Sequence, residues 1–198
     1  MRRSTIPVLL IALTTLAGCG GSADDPGTAA SPSSPSSPSS PASSPGAPTS
    51  GSPSGATAPA TGIALSMPNS TVRAPADWTH AKDLTRYEDG ADSPDNLAYL
   101  MLGEIDAFGS DASAAELADN RLSANVYERA PKKLPVAELD GTPAYHLAGP
   151  VSATQYIEEY GAIVRDRIVT LTFSFNDKVT RAERDEVVAS VLPTFAWQ

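Results

Sequence analysis

Arg167-Ile168-Val169-Thr170-Leu171-Thr172-Phe173-Ser174-Phe175 alternates strictly: Val169, Leu171, Phe173 and Phe175 fall on one side, Ile168, Thr170, Thr172 and Ser174 on the other. A period of two over nine residues, rich in β-branched and aromatic side chains, predicts a β-strand with one strongly apolar face. Just upstream, the polar pair Arg165-Asp166 separates this run from a second one, Gln155–Val164, and so predicts a hairpin. Further back, Asp140-Gly141 joins residues 136–139 to 144–147 with a second hairpin signal. The centre of the chain therefore reads as an antiparallel meander. It is followed by Thr180-Arg-Ala-Glu183, a capping box, and by Val187, Val188, Val191, Leu192 and Phe195 at helical spacing. Pro193 ends that helix, leaving residues 194–197 to close against the sheet.

Upstream of the meander, Pro131 and Pro135 bracket Lys132-Lys133 as an exposed turn. Ser113-Ala-Ala-Glu116 is another capping box, opening a helix to about Asn125 with Ala114, Leu117, Ala118 and Leu122 inward. Residues 97–105 are almost continuously apolar, which suits a central strand covered on both faces. Residues 88–96 read as an acidic, turn-rich loop; their four carboxylates lack the ligand spacing of a helix-loop-helix calcium site, so a solvated loop is expected. Residues 63–67 and 70–74 predict two short strands about a Pro68-Asn69 turn, and Trp78 a core anchor after Pro75. The order strand, strand, strand, helix, strands, helix implies an α+β fold, an antiparallel β-sheet flanked by helices.

Pro75-Ala-Asp-Trp78, the strand at 97–105, the helix at 113–125, Val169-Thr-Leu-Thr-Phe173 and Val191-Leu-Pro-Thr-Phe195 come in a recognisable sequence. In this the chain resembles actinobacterial lipoproteins of the LpqN/LpqT type, whose fold is similar to the PsbP extrinsic subunit of photosystem II. The resemblance covers most of residues 61–198. It implies an α/β/α sandwich of PsbP-like fold around an antiparallel sheet, serving as a binding or adaptor module, and brings no catalytic residues to carry over.

The N-terminal third is of another kind. Residues 1–18 read as a lipoprotein signal peptide: Arg2 and Arg3, an apolar core from Ile6 to Ala17, then the lipobox Leu16-Ala17-Gly18 before Cys19. The core is shorter than the roughly 20 residues a membrane-spanning helix needs. Cys19, the one cysteine in the chain, is the expected lipidation site. With its thiol acylated, no disulfide, thiolate metal site or cysteine nucleophile is available. Residues 19–60 then form a lipidated cysteine and a disordered Ser/Pro-rich linker, with almost no charge and no aromatic residue. Fully extended, its 41 residues after Cys19 reach roughly 130 Å at most. A single globular domain, 61–198, follows, and the expected location is the extracytoplasmic face of a bacterial cell membrane.

That domain holds 12 basic and 21 acidic residues, a net charge of −9, which argues against nucleic-acid binding. Chemistry is sparse. No Gly-x-Ser-x-Gly elbow, phosphate-cradling loop or zinc-type histidine pair is present, so neither cofactor nor metal is expected. His146 falls in a predicted strand, while His80 sits in a loop near Trp78 and is the better candidate. Glu158 and Glu159 are adjacent on a strand and must face opposite sides; Glu104 and Asp106 share a face and read as solvated residues at a strand end. Trp78, His80, Tyr156 and Tyr160 are candidates for a ligand pocket or surface. The expected function is a monomeric, membrane-anchored, non-catalytic module for an envelope protein or an apolar or lipid ligand. The alternative is a small envelope hydrolase using His80 with a serine or carboxylate, which requires His80 in a concave site.

Overall fold

The computed structural model describes residues 57–198. The signal segment 1–18, the lipobox with Cys19 and the linker up to residue 56 lie outside the described residues. Within the described part, Ala60 is already buried, and its N–H donates to Ser190 O at 2.8 Å.

The quoted stretch forms β10 (Arg167–Asn176), the middle of a large antiparallel sheet. On one side it pairs with β9 (Gln155–Val164) and on the other with β5 (Ala98–Asp106). Beyond β5 come β4 (Glu88–Asp92) and β3 (Thr79–His80). Beyond β9 comes β8 (Thr142–Pro150), along whose far edge lie β6 (Lys132–Lys133) and β7 (Ala137–Leu139). Both long hairpins turn as the sequence requires. Arg165 and Asp166 have φ of 50° and 61°, Asp140 and Gly141 of 44° and 76°, mirror-image turns whose twist matches that of the strands.

A second sheet is made from the two ends of the domain: β1 (Ala64–Met67), β2 (Ser70–Arg73) and β11 (Ala196–Trp197). The C-terminal strand thus closes against β2 rather than against the large sheet. With α2 (Arg181–Val191) this small sheet covers one face of the large one. Leu65, Val72, Leu100, Leu102, Val169, Leu171, Phe173, Phe175, Val188 and Val191 make that core. Among the described residues the opposite face carries one helix, α1 (Ala114–Ser123), seated by Leu117 and Ala118 on Tyr145 and Leu147, and the loop after it. Both helices begin with complete capping boxes, at Ser113–Glu116 and Thr180–Glu183. The architecture is the expected α+β one, three layers around an antiparallel sheet.

Three local expectations change. The acidic segment is not a loop over its whole length: residues 88–92 are β4, with Gly90 and Ala91 buried, because Ala91 lies against the core opposite Leu100 and Asp89, on the same face, accepts from Ser66 N (2.8 Å), while Glu88 and Asp92 take the other face. Lys132-Lys133 is a short edge strand rather than a turn, and Lys133 Nζ reaches Ala115 O and Asp119. Glu104 is fully buried, not solvated: its carboxylate accepts from Asn69 N (3.0 Å), Asn69 Nδ2 (2.6 Å) and Arg167 Nε (3.1 Å). These donors replace the lost water, and they lock the β1–β2 turn to the large sheet. Asp106, its neighbour on that face, stays exposed beside Arg167.

Candidate functional site

The face of the large sheet under α1 is only half covered, and its centre is polar. Glu159 on β9 has no exposed side-chain surface, yet every lone pair is used. It accepts from Tyr145 OH (2.6 Å), Tyr127 OH (3.0 Å), Thr172 Oγ1 (3.3 Å) and both Nε (2.9 Å) and Nη2 (3.1 Å) of Arg121. Backbone shape makes room for this. A Cβ on Gly161 would meet the Tyr145 ring at 2.4 Å, so only glycine lets the phenol lie across β9 and reach Glu159. Arg121 comes from the last turn of α1 and Tyr127 from the loop after it, so one carboxylate fastens sheet, helix and loop together. Burial, and next the Glu159 charge, push the Tyr127 and Tyr145 hydroxyls well above their usual range. For Arg121, burial alone would act downward, but the Glu159 contact more than reverses it.

Beside this cluster runs a groove of about 320 Å³. Its floor is Met101, Gly103 and Ile105 of β5 with Ile168 and Thr170 of β10; α1 walls one side with Leu117 and Asn120, and Tyr87 and Glu88 the other. Ile105 is 50% exposed and Tyr87 38%, although both are large and apolar. Gly103 keeps the floor low, since a Cβ there would meet Thr170 Oγ1 at 2.7 Å. On the other side of Arg121 a more polar cleft of about 300 Å³ is lined by Tyr127, Gln155, Ile157 and Ser174 among others.

The residues singled out from sequence lie elsewhere and do not form one site. Trp78 is buried in the core and borders a cleft with Asp95, Lys178 and Val187. His80 stands on the edge strand β3 with its side chain 56% exposed, its Nδ1 3.5 Å from Asp89 Oδ1. Tyr160 is buried on the closed face; its hydroxyl donates to Glu158 Oε1 (2.6 Å), and its ring stacks on His146 at 4.3 Å. His146 Nε2 is 3.0 Å from the same Glu158 oxygen. Burial raises the Glu158 carboxyl, but the His146 and Tyr160 bonds outweigh it and hold the group below its usual value. Tyr156 lies under Arg184, whose guanidinium is 4.1 Å from the ring centroid, in a cleft with Glu158 and Arg181. No serine hydroxyl is hydrogen-bonded to either histidine, and no group of three or more metal-ligating side chains occurs among the described residues.

The groove and the Glu159 cluster were not singled out from sequence. The available signal was the alternation Tyr99, Met101, Gly103, Ile105 within the apolar run of β5, which marks a face distinct from Leu100 and Leu102.

No protein-family model matches the chain, and no curated protein matches it. Solved structures do. LpqN of Mycobacterium tuberculosis, described as involved in cell envelope biogenesis, is similar at a TM-score of 0.48 and 15% identity over 67% of this chain and 86% of that one. The cyanobacterial PsbP (CyanoP) of Synechocystis is similar at 0.47 and 10%, over 65% and 86%. A structure from Bacteroides thetaiotaomicron is similar at 0.42 and 12%; this chain covers 65% of its own length but less than half, 45%, of that structure. LpqN and PsbP are the proteins that the sequence resemblance names.

Proposed function

We propose that this protein is a lipid-anchored, non-catalytic binding module of the bacterial cell envelope, and that the groove beside α1 is its binding site. The observation that carries this reading is an apolar floor left open at Met101, Ile105 and Ile168, on the same strands whose opposite-facing residues Leu100, Leu102, Val169 and Leu171 are wholly buried. A concave, mainly apolar site of this volume with a few polar groups at one end is the ordinary form of a ligand pocket. The polar groups at its end support binding rather than turnover. Glu159 spends its capacity on five internal bonds, and so fixes the shape of the groove instead of offering a base. His80, the residue a hydrolase would need, is exposed at a sheet edge and borders no part of this groove. Envelope biogenesis, named for LpqN, is the setting in which such a module is placed here.

Two measurements test this. Nile red, an uncharged apolar probe, should brighten with the full chain and lose most of that signal in Ile105→Lys, which puts a charge on the groove floor at a half-exposed position. An unchanged signal would move the site elsewhere. Cys19→Ala should shift the protein from the membrane fraction to the soluble one, because double acylation supplies the anchor. Retention in the membrane fraction would refute the tether.

A further inference from the structure

The groove has the dimensions of a missing element. Strands lie about 4.8 Å apart, so β4, β5 and β10 together span roughly 10 Å, the width of one α-helix. In a layered α+β domain each helix covers about two strands; α1 covers the β8–β9 side, and next to it, over β4 and β5, no helix lies on this face among the described residues. Its floor suits a helix at close range. Gly103 carries no side chain there, Thr170 is short, Met101, Ile105 and Ile168 supply apolar contact, and the Tyr99 ring lies over Gly90 next to it.

The charge around this vacancy is one-sided. Glu88 and Asp92 alternate with Gly90 on β4 and so project on the groove face. Among the described residues neither has a cation within 4.0 Å. Of the nearby cations, Arg121 is committed to Glu159, Arg167 to Glu104 and Asp106, and Arg86 lies over the Tyr87 ring at 4.7 Å. The hydroxyl of Tyr99, between Glu88 and Asp92, is raised by burial first and then by those carboxylates and Asp89, which reports the same negative potential.

We infer that the occupant of this groove is an amphipathic α-helix of a partner protein, with an apolar stripe against Met101, Ile105 and Ile168 and Lys or Arg facing Glu88 and Asp92. This rests on the groove being the binding site. It adds what fills it: a helix in the vacant layer position, chosen by charge. The apolar stripe supplies affinity, and the carboxylate rim supplies selection and salt dependence.

The test titrates the full chain with two 18-residue helical peptides that share one leucine stripe, flanked by Lys in one and by Glu in the other, with Nile red as the displaced reporter. The Lys peptide should bind and displace the dye, and weaken as salt is raised. Glu88→Lys with Asp92→Lys should weaken it by roughly tenfold and let the Glu peptide bind in its place. That exchange of preference cannot come from misfolding, which would abolish both. Equal binding of the two peptides, or an unchanged preference in the double variant, overturns the inference. If neither peptide binds while Nile red still responds to Ile105→Lys, the helix is wrong and the groove stands. If the dye fails as well, both readings fall.

Discussion

The two faces of the large sheet are built from the same strands, one residue out of phase. On β10, Val169, Leu171, Phe173 and Phe175 face the small sheet and α2, and all four are buried; Ile168, Thr170 and Ser174 face the α1 side and are only partly so. β5 repeats the contrast, with Leu100 and Leu102 at zero exposure against Tyr99, Met101 and Ile105. Each face also holds one buried glutamate. On the closed face Glu104 is tied by Asn69 and Arg167 near the end of its strand. On the open face Glu159 gathers Arg121, Tyr127, Tyr145 and Thr172 at the centre. Stability is therefore concentrated on one side, while the other has a rigid polar pivot beside a surface that nothing in the domain covers. Covering both faces would add burial and close the groove.

This division can be broken first by truncation. Phe173→Ala should cost about 3–5 kcal/mol, the usual range for an aromatic removed from a packed core. Ile105→Ala, on the same sheet but at the open face, should stay within about 0.5 kcal/mol. Urea denaturation of both variants measures this directly. Comparable losses would mean that the groove is part of the core.

The two glutamates sharpen the comparison further. Arg121→Ala removes the one cation from a carboxylate with no exposed side-chain surface, and should cost about 3 kcal/mol. Arg167→Ala likewise removes the one cation from a carboxylate with no exposed side-chain surface, leaving Glu104 only its two Asn69 donors, so a similar loss of about 3 kcal/mol is expected. If Arg167→Ala proves the more damaging, the pivot of the domain is on the closed face.

The sequence carried the closed face well. Alternation in β10, the polar turn at Arg165-Asp166 and the two capping boxes are local signals, and each became the expected element. It carried β4 poorly, because Glu88-Asp89-Gly90-Ala91-Asp92 has loop composition, and only pairing with β5 makes it a strand. Glu104 misled for a related reason. Its burial depends on Asn69, 35 residues away, and on Arg167, 63 residues away, and no local pattern encodes such partners. The same holds for Glu159 with Arg121, 38 residues apart. The apolar run of β5 announced a central strand but not that one of its two faces would lack a cover, since that depends on where α1 lies.

Glu158 and Glu159 bring the contrast down to neighbouring residues and give the smallest effect. They alternate across the sheet; Glu158, on the closed face, is held below its usual 4.5 by His146 and Tyr160 against the opposing effect of burial. A carboxyl with a depressed folded value binds fewer protons in the folded state than in the unfolded one. Its contribution is complete above the unfolded value and is lost as pH falls through the folded one. The window therefore opens near pH 4.5 and extends below it. Wild-type stability should decline through this window, and Glu158→Gln should flatten the decline while lowering the plateau at pH 7. Urea midpoints taken between pH 3 and pH 7 decide it. A parallel pair of curves would show that the His146–Glu158–Tyr160 cluster contributes shape but no pH-dependent stability, and that the closed face depends on its hydrocarbon alone.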